Sequence, residues 1–150
     1  MKILIIIDSI GIGGAQKLKV ELALGLAKLG HKIEIFFYNS NDEDTFILDF
    51  EKSGVKLHSA NKSSPGFSLD VLRQLRALLR RDYDTVISSL HAPSIYAAIA
   101  LIGIKKFKFI ICEESSSMAP ISLFKRILFY CATLFADALI PNSHHEANLM

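Results

Sequence analysis

The chain has 150 residues, of which 51% are hydrophobic, 21% charged and 9% aromatic, with 8 Gly and 4 Pro. One domain of that size buries roughly two-thirds of the surface its unfolded form exposes, and its apolar content offsets the entropy of ordering, which excludes intrinsic disorder. Seventeen basic against 15 acidic side chains leave a net charge of +2, so no overall field draws the domain onto nucleic acid. Cys112 and Cys131, the two cysteines, both sit in apolar runs (KFIICEE and LFYCATLF). They read as buried, reduced thiols in a cytosolic protein rather than as a disulfide framework.

A mean hydropathy of +0.34 raises the question of a membrane span. Only five apolar residues separate Met1-Lys2 from Asp8, too few for the core of a signal peptide. The uncharged stretch 85–104 approaches bilayer length. However, Ser88, Ser89, His91, Pro93 and Ser94 fill its first half, and polar groups without partners are costly in lipid. A strand, a turn and a helix fit it better.

In chain order, KILIIID (2–8) is a continuous β-branched run, as in a strand covered on both faces. A glycine turn follows. Leu18, Leu22, Leu26 and Leu29 then recur at helical spacing until Gly30 stops the helix. KIEIFFY (32–38) is the second strand. The polar loop NSNDED leads to a short helix over 45–52, and 55–58 is a third strand. Ser68 caps a helix with Leu69, Leu72, Leu75 and Leu79 on one face. TVISSL (85–90) is the fourth strand, and a helix begins near Pro93, an accepted first-turn position for proline. FKFIIC (107–112) is the fifth strand. A longer apolar helix over 121–136 leads into ALIP (138–141), the sixth. Ser143 and Glu146 form the S-x-x-E capping box of one more helix. Strands alternating with helices predict right-handed βαβ units: an α/β, Rossmann-like, doubly wound parallel sheet of about six strands with helices on both faces.

Ligands of such sheets bind beyond the carboxyl ends of the strands. Four unusual segments fall there: 9–14, 91–94, 113–117 and 142–143. The turn GIGGAQ brings peptide N–H groups close to a guest and aims the next helix's positive end at it, which suits a phosphate; the alternative is a plain turn needing positive φ. A dinucleotide fingerprint needs a third glycine, but Gly11-x-Gly13 is followed by Gln16, and no acid ends the second strand. NAD binding is therefore disfavoured, and a Walker lysine-serine pair is missing too. His91, on a turn just before a helix, either donates to a sugar hydroxyl or phosphate oxygen or satisfies loop carbonyls. Glu113 and Glu114 follow strand five and either bind hydroxyls and work as acid and base, or cap the next segment.

Three further features read as structural. Asp42-Glu43-Asp44 precedes a helix, where acids suit the dipole rather than a metal. His144 and His145 are neighbours and point to different helix faces. The segment 121–136, with Lys125-Arg126 beside Phe124, Leu128 and Phe129, either packs on the sheet or lies on a membrane surface.

With these segments in order, the sequence resembles the amino-terminal half of the family-four glycosyltransferases of the GT-B fold. ILIIIDSIGIGGAQKLKVELALGLAKLGHKIEIF matches their strand, G-G-A-E/Q turn, L-A-x-x-L helix and G-H-x-V. YDTVISSLHAPSIYAAIA is similar to their fourth-strand segment. FIICEESSS stands where many members carry a strand followed by S-E-R-N or H-T, and ADALIPNSHHEANLM matches A-D-x-x-I-x-x-S. The match is collinear over essentially the whole chain.

The resemblance implies that Gly13 and Gly14 face the donor's diphosphate through their amides and that Glu113 stands by the transferred sugar. Members with histidine at that place use it on the sugar; here it is glutamate, and Glu114 replaces a frequent arginine. His91, Ser94, Glu114 and Ser143 fall on the acceptor or sugar side. It further implies a retaining transfer from a nucleotide-sugar donor to a glycan or lipid-linked acceptor in cell-surface polysaccharide synthesis, at the cytoplasmic face of a membrane, with no metal or other cofactor. Residues 1–150 are then the acceptor-side domain. The donor-binding domain with its E-x7-E motif is missing from this chain, which is expected to be inactive by itself. The alternatives are a non-catalytic module pairing with a separate donor-binding chain and a nucleotide-dependent oxidoreductase.

Overall fold

The computed structural model describes residues 1–11, 13–39, 50, 52–62, 65–104, 106–113 and 122–141. Their elements run β1 (Lys2–Ile6), α1 (Gly14–Lys28), β2 (Lys32–Phe37), β3 (Lys56–Ser59), α2 (Leu69–Leu79), β4 (Thr85–Ser89), α3 (His91–Leu101), β5 (Lys108–Glu113), α4 (Leu123–Thr133) and β6 (Ala138–Pro141). The strands form one six-stranded sheet in the order β3-β2-β1-β4-β5-β6, parallel throughout. The doubly wound expectation holds.

Strand alternation sorts the core into two layers. Leu4, Ile6, Phe36, Val86, Phe109 and Ile111 face Leu75 and Leu79 of α2, Ala97 and Ala100 of α3 and Ala132 of α4. Ile3, Ile5, Ile33, Ile35, Phe37 and Ile87 face Val20 and Ala23 of α1. Both faces of β1 are covered, which is why its run is apolar without alternation.

Helix ends follow local chemistry. Ser68 Oγ accepts from Val71 N–H as the cap of α2, and Ser122 Oγ accepts from Lys125 N–H at α4. Gly30, at φ +83°, ends α1 as expected, with His31 N–H donating to Leu26 O.

Several expectations need correction. The leucine stripe of α1 is not its buried centre: Val20 and Ala23 are, while Leu18 and Leu29 are exposed. Leu22 and Leu26 of the stripe, with Leu24, are half-buried and pack against that layer, so only part of the stripe faces the sheet. Cys131 is exposed, unlike buried Cys112, because α4 inserts little beyond Ala132 into the core. Of the helix expected over 45–52, only Phe50 and Lys52 fall among the described residues, both helical. Asp42-Glu43-Asp44, His144, His145 and the Ser143–Glu146 box lie outside them.

At the amino end of the sheet Glu34 anchors a charged cluster. Tyr83 Oη donates to its Oε2 at 2.8 Å, His58 Nε2 lies 2.7 Å from the same oxygen, and Lys2 Nζ lies 3.2 Å from Oε1. Burial opposes charge on Glu34, but the hydrogen bonds of Tyr83, His58 and Lys2 and the charge of Lys2 outweigh it and hold the carboxyl at about 2. A carboxylate depressed in the fold stabilises the protein above its unfolded value and loses that contribution as pH falls. Glu34→Gln is expected to melt at lower temperature than wild type at pH 7. The gap should close between pH 4.5 and about 2, as read by circular dichroism melts across that range.

Candidate functional site

The connection reverses direction between β1 and β4, where the order runs from β1 to β2 on one side and to β4 on the other. That switch opens a crevice at the carboxyl edge. The described segments expected to hold chemistry lie on adjacent strand ends there, because β1 pairs with β4 through Ile6↔Ser88 and β4 with β5 through Ser89↔Cys112.

The glycine turn lies at the end of β1. Gly13 is extended, at φ −172° and ψ 157°, and precedes α1 without a side-chain cap on the helix. Neither Gly13 nor Gly14 has a left-handed backbone, so the alternative of a turn requiring positive φ finds no support at these two positions. A Cβ at Gly13 would collide with the Gln16 side-chain amide, whereas one at Gly14 meets nothing within 4 Å. Gln16 Nε2 donates to Asp8 Oδ1 at 3.1 Å, and Ser9 N–H donates to the same oxygen at 2.8 Å. Asp8 carries the turn further, since its carbonyl accepts from Tyr38 and Asn39 N–H. The result is a braced turn with uncapped first-turn amides behind it, the arrangement that favours an anion.

The second corner is tighter than expected. Helix α3 begins at His91 itself, with Pro93 third, because the chain turns within one residue: Leu90 has φ 71° and ψ 164°. That region is essentially glycine-only, and a leucine held there stores strain of about 1–3 kcal/mol. Three bonds hold it. Leu90 N–H donates to Cys112 O at 3.3 Å and Ser94 N–H to Leu90 O at 3.3 Å, and Ser94 Oγ donates to Leu90 O at 2.7 Å. Ser94 Oγ also shares a 2.8 Å bond with Ser88 Oγ. Ser94, expected on the acceptor side, is fully buried and braces the corner that aims His91.

Glu113 is the last residue of β5 rather than the first after it, in register with Pro141, and is buried. Its Oε2 lies 3.5 Å from His91 Nε2, with side-chain exposures of 8% and 22%. The imidazole also meets Phe129 of α4 edge-on, with centroids 4.3 Å apart. Three elements therefore converge on one half-buried imidazole. The corner thus sets a carboxylate acceptor beside an imidazole that, when neutral, offers one donor and one acceptor nitrogen to a hydroxyl. Glu114 and Ser143 lie outside the described residues.

Sequence reasoning missed three contributors. Leu90 carries no signal, since nothing in a leucine announces positive φ. Ser89 Oγ is buried at the end of β4 with no hydrogen-bond partner among the described residues; its only sign was a polar pair ending an apolar run. Asp8 showed the same sign at the end of β1. Among the described residues, no group of three or more His, Cys, Asp or Glu is placed to hold a metal ion, and no helix is long and apolar enough to cross a membrane.

The family profile described as Glycosyltransferase Family 4 matches residues 12–150. The alpha-1,3/1,6-mannosyltransferase ALG2 of Candida glabrata is 30% identical over 146 residues, which is 93% of this chain and 28% of that protein's length. The chain therefore spans less than a third of that relative. Two crystal structures of Anabaena HepE, one in complex with UDP and one with UDP and glucose, each superpose with a TM-score of 0.73 over 99% of this chain. They cover 39% and 40% of HepE at 16% and 18% identity. At that identity the likeness shows the fold, one Rossmann-like half of a GT-B architecture.

The strain at Leu90 is directly measurable. Leu90→Gly is expected to cost no stability, because relief of the positive φ offsets the lost side chain and added chain entropy. Leu90→Val puts a β-branched residue in the same backbone and should cost about 1–2 kcal/mol. Urea denaturation of the two variants compares them; equal losses would mean that the corner has an ordinary backbone.

Proposed function

This chain belongs to glycosyltransferase family 4, and from that membership we propose that it forms the acceptor-side domain of a retaining enzyme that moves a sugar from a nucleotide donor to a glycan or lipid-linked acceptor, in cell-surface polysaccharide synthesis. The observation that carries the reading is the meeting of His91 and Glu113, 3.5 Å apart, over the β1–β4 crevice beside the uncapped start of α1. Family membership sets the oxidoreductase alternative aside.

In this reading the Gly13 and Gly14 amides and the positive end of α1 face the donor's diphosphate. Negative charge grows on that group as the sugar leaves, and fixed N–H dipoles stabilise it without a metal. His91 N–H donates to a sugar hydroxyl and the Glu113 carboxylate accepts one, so together they orient the ring. Leu90 and Ser94 are positioning residues. The UDP and glucose in the HepE structures support a nucleotide-sugar donor. A second domain supplies the other wall, and this chain alone is expected to transfer no sugar.

The exposed face of α4 favours one further contact. Leu123, Phe124, Ile127 and Tyr130 are all more than half exposed, with Lys125 and Arg126 between them. An apolar ridge with basic flanks suits an anionic bilayer surface, consistent with an enzyme working at the cytoplasmic face of a membrane.

Three experiments test these assignments. A side chain at Gly14 clashes with nothing in the free domain, so Gly14→Val in the complete enzyme should keep its melting temperature near wild type while turnover falls at least about a hundredfold. Glu113→Gln should cut turnover more than Glu114→Gln does; the reverse order would refute the assignment of Glu113. Loss of turnover with donor and acceptor binding intact separates an enzyme from a non-catalytic module. For the membrane contact, Phe124→Asp with Ile127→Asp should abolish co-sedimentation with vesicles containing phosphatidylglycerol and leave the fold unchanged. Unaltered sedimentation would refute a role for α4.

A further inference from the structure

A second cleft, of about 390 Å³, opens at the carboxyl end of β3 and is lined by Ala60, Asn61, Lys62, Ser68, Asp70, Arg73 and Gln74. It lies apart from the crevice just described. Three strand positions separate β3 from β4, about 14 Å at ordinary strand spacing.

Its walls are held before any ligand arrives. Ala60 N–H donates to Phe37 O and Lys62 N–H to Tyr38 O at 2.7 Å, so the 60–62 segment continues the pairing of β3 with β2 beyond the strand ends. Asn61 takes φ 40° there, a backbone that asparagine tolerates better than most residues. On the other side Ser68 N–H donates to Tyr96 Oη at 2.6 Å. Tyr96 belongs to α3, so the same helix that presents His91 also fixes the rim of this cleft.

Beside the rim stands an aromatic ladder. Lys62 Nζ lies 5.5 Å from the centroid of Tyr38, Tyr38 meets Tyr96 at 5.3 Å, and Phe67 stacks on Tyr96 at 4.9 Å and 9°. Phe67 is 55% exposed although one face is covered by Tyr96. Phe67 thus presents one open apolar face beside the cleft, with its other face supported by Tyr96.

The lining chemistry narrows the guest. Asn61, Gln74, Asp70 and Arg73 offer planar amide, carboxylate and guanidinium groups, a mixed set of donors and acceptors suited to adjacent hydroxyls. Arg73 Nη1 lies 3.4 Å from Asp70 Oδ1, so cationic donors and a carboxylate acceptor stand side by side, with Lys62 as a further donor in the lining. A flat apolar platform next to paired donors and acceptors matches a pyranose, apolar on its C–H face and polar at its rim. We propose that this cleft is a distal acceptor subsite, in which Phe67 stacks on a sugar ring and Asn61, Asp70, Arg73 and Gln74 bond its hydroxyls. The inference rests on the acceptor-side reading above and deepens it: a guest touching both the cleft and the His91 corner spans about 14 Å, more than one pyranose. The acceptor is thus an oligosaccharide chain, recognised away from its reacting end.

The test uses an array of linear oligosaccharides of one to six pyranose units, followed by amide-resolved NMR titration of this chain with the best binder. The expected result is saturable binding that strengthens with length and shifts amides at 60–62 and 67–74. Phe67→Ala should weaken it about tenfold, and Arg73→Ala, at an exposed position that spares the fold, severalfold. In the complete enzyme the same variants should raise KM for long acceptors only, with kcat and the donor KM unchanged. Failure of every oligosaccharide to bind, binding that moves only amides near Gly13 and His91, or displacement by inorganic phosphate would each overturn the subsite. Those results leave the Gly14→Val and Glu113→Gln comparison intact, so the two readings fail separately.

Discussion

The rest of the molecule depends on β1 being paired on both sides and buried on both faces. Its backbone groups are satisfied by β2 and β4, and its side chains divide between two apolar layers. Because the chain must cross over in opposite senses to place β2 and β4 beside it, the loops above β1 and β4 part. The crevice is a consequence of topology, independent of which residues line it. The glycine turn and the His91 corner are two answers to the same demand, to leave a buried strand abruptly and enter a helix.

Those two exits are built differently. After β1 the chain uses small residues, with Asp8 and Gln16 bracing the turn. After β4 it uses a leucine forced to positive φ, held by a buried serine pair. Strain of this kind persists only where surrounding bonds over-determine it. Its effect is to start α3 one residue after the strand, which brings His91 over Glu113 instead of a turn away from it. At the opposite end of the sheet Glu34, Tyr83, His58 and Lys2 tie β1, β2, β3 and the entrance to β4 through one carboxylate.

Helix α3 links the two clefts of the carboxyl edge. Its first residue meets Glu113, and Tyr96, five residues on, carries Phe67 and accepts from Ser68. The apolar helix α4 also belongs to this architecture in an unequal way. Ala132 is buried in the core and Phe129 packs against it, whereas the ridge from Leu123 to Tyr130 faces solvent.

Much was legible from residue order. Continuous β-branched runs, a glycine after a helical stripe and Ser68 before an apolar helix each report a local preference that packing then reinforced, so the succession of elements, the fold class and the family emerged together. The carboxyl edge was legible as well, because a parallel sheet ends its described strands on one side, with Asp8, Leu90 and Glu113 at or just past those ends. What only the tertiary structure decided depends on partners distant in sequence. Which leucines of α1 meet the sheet was decided there: Leu22 and Leu26 pack against it, and Leu18 and Leu29 are exposed. Cys131 is exposed because α4 gives the core little beyond Ala132. Glu113 stays in the strand because β6 pairs beside it. The strain at Leu90 is not announced by its own residue type. A leucine takes that backbone only because Cys112 and Ser94 bind its N–H and C=O, and no reading of residue types along a chain contains that geometry.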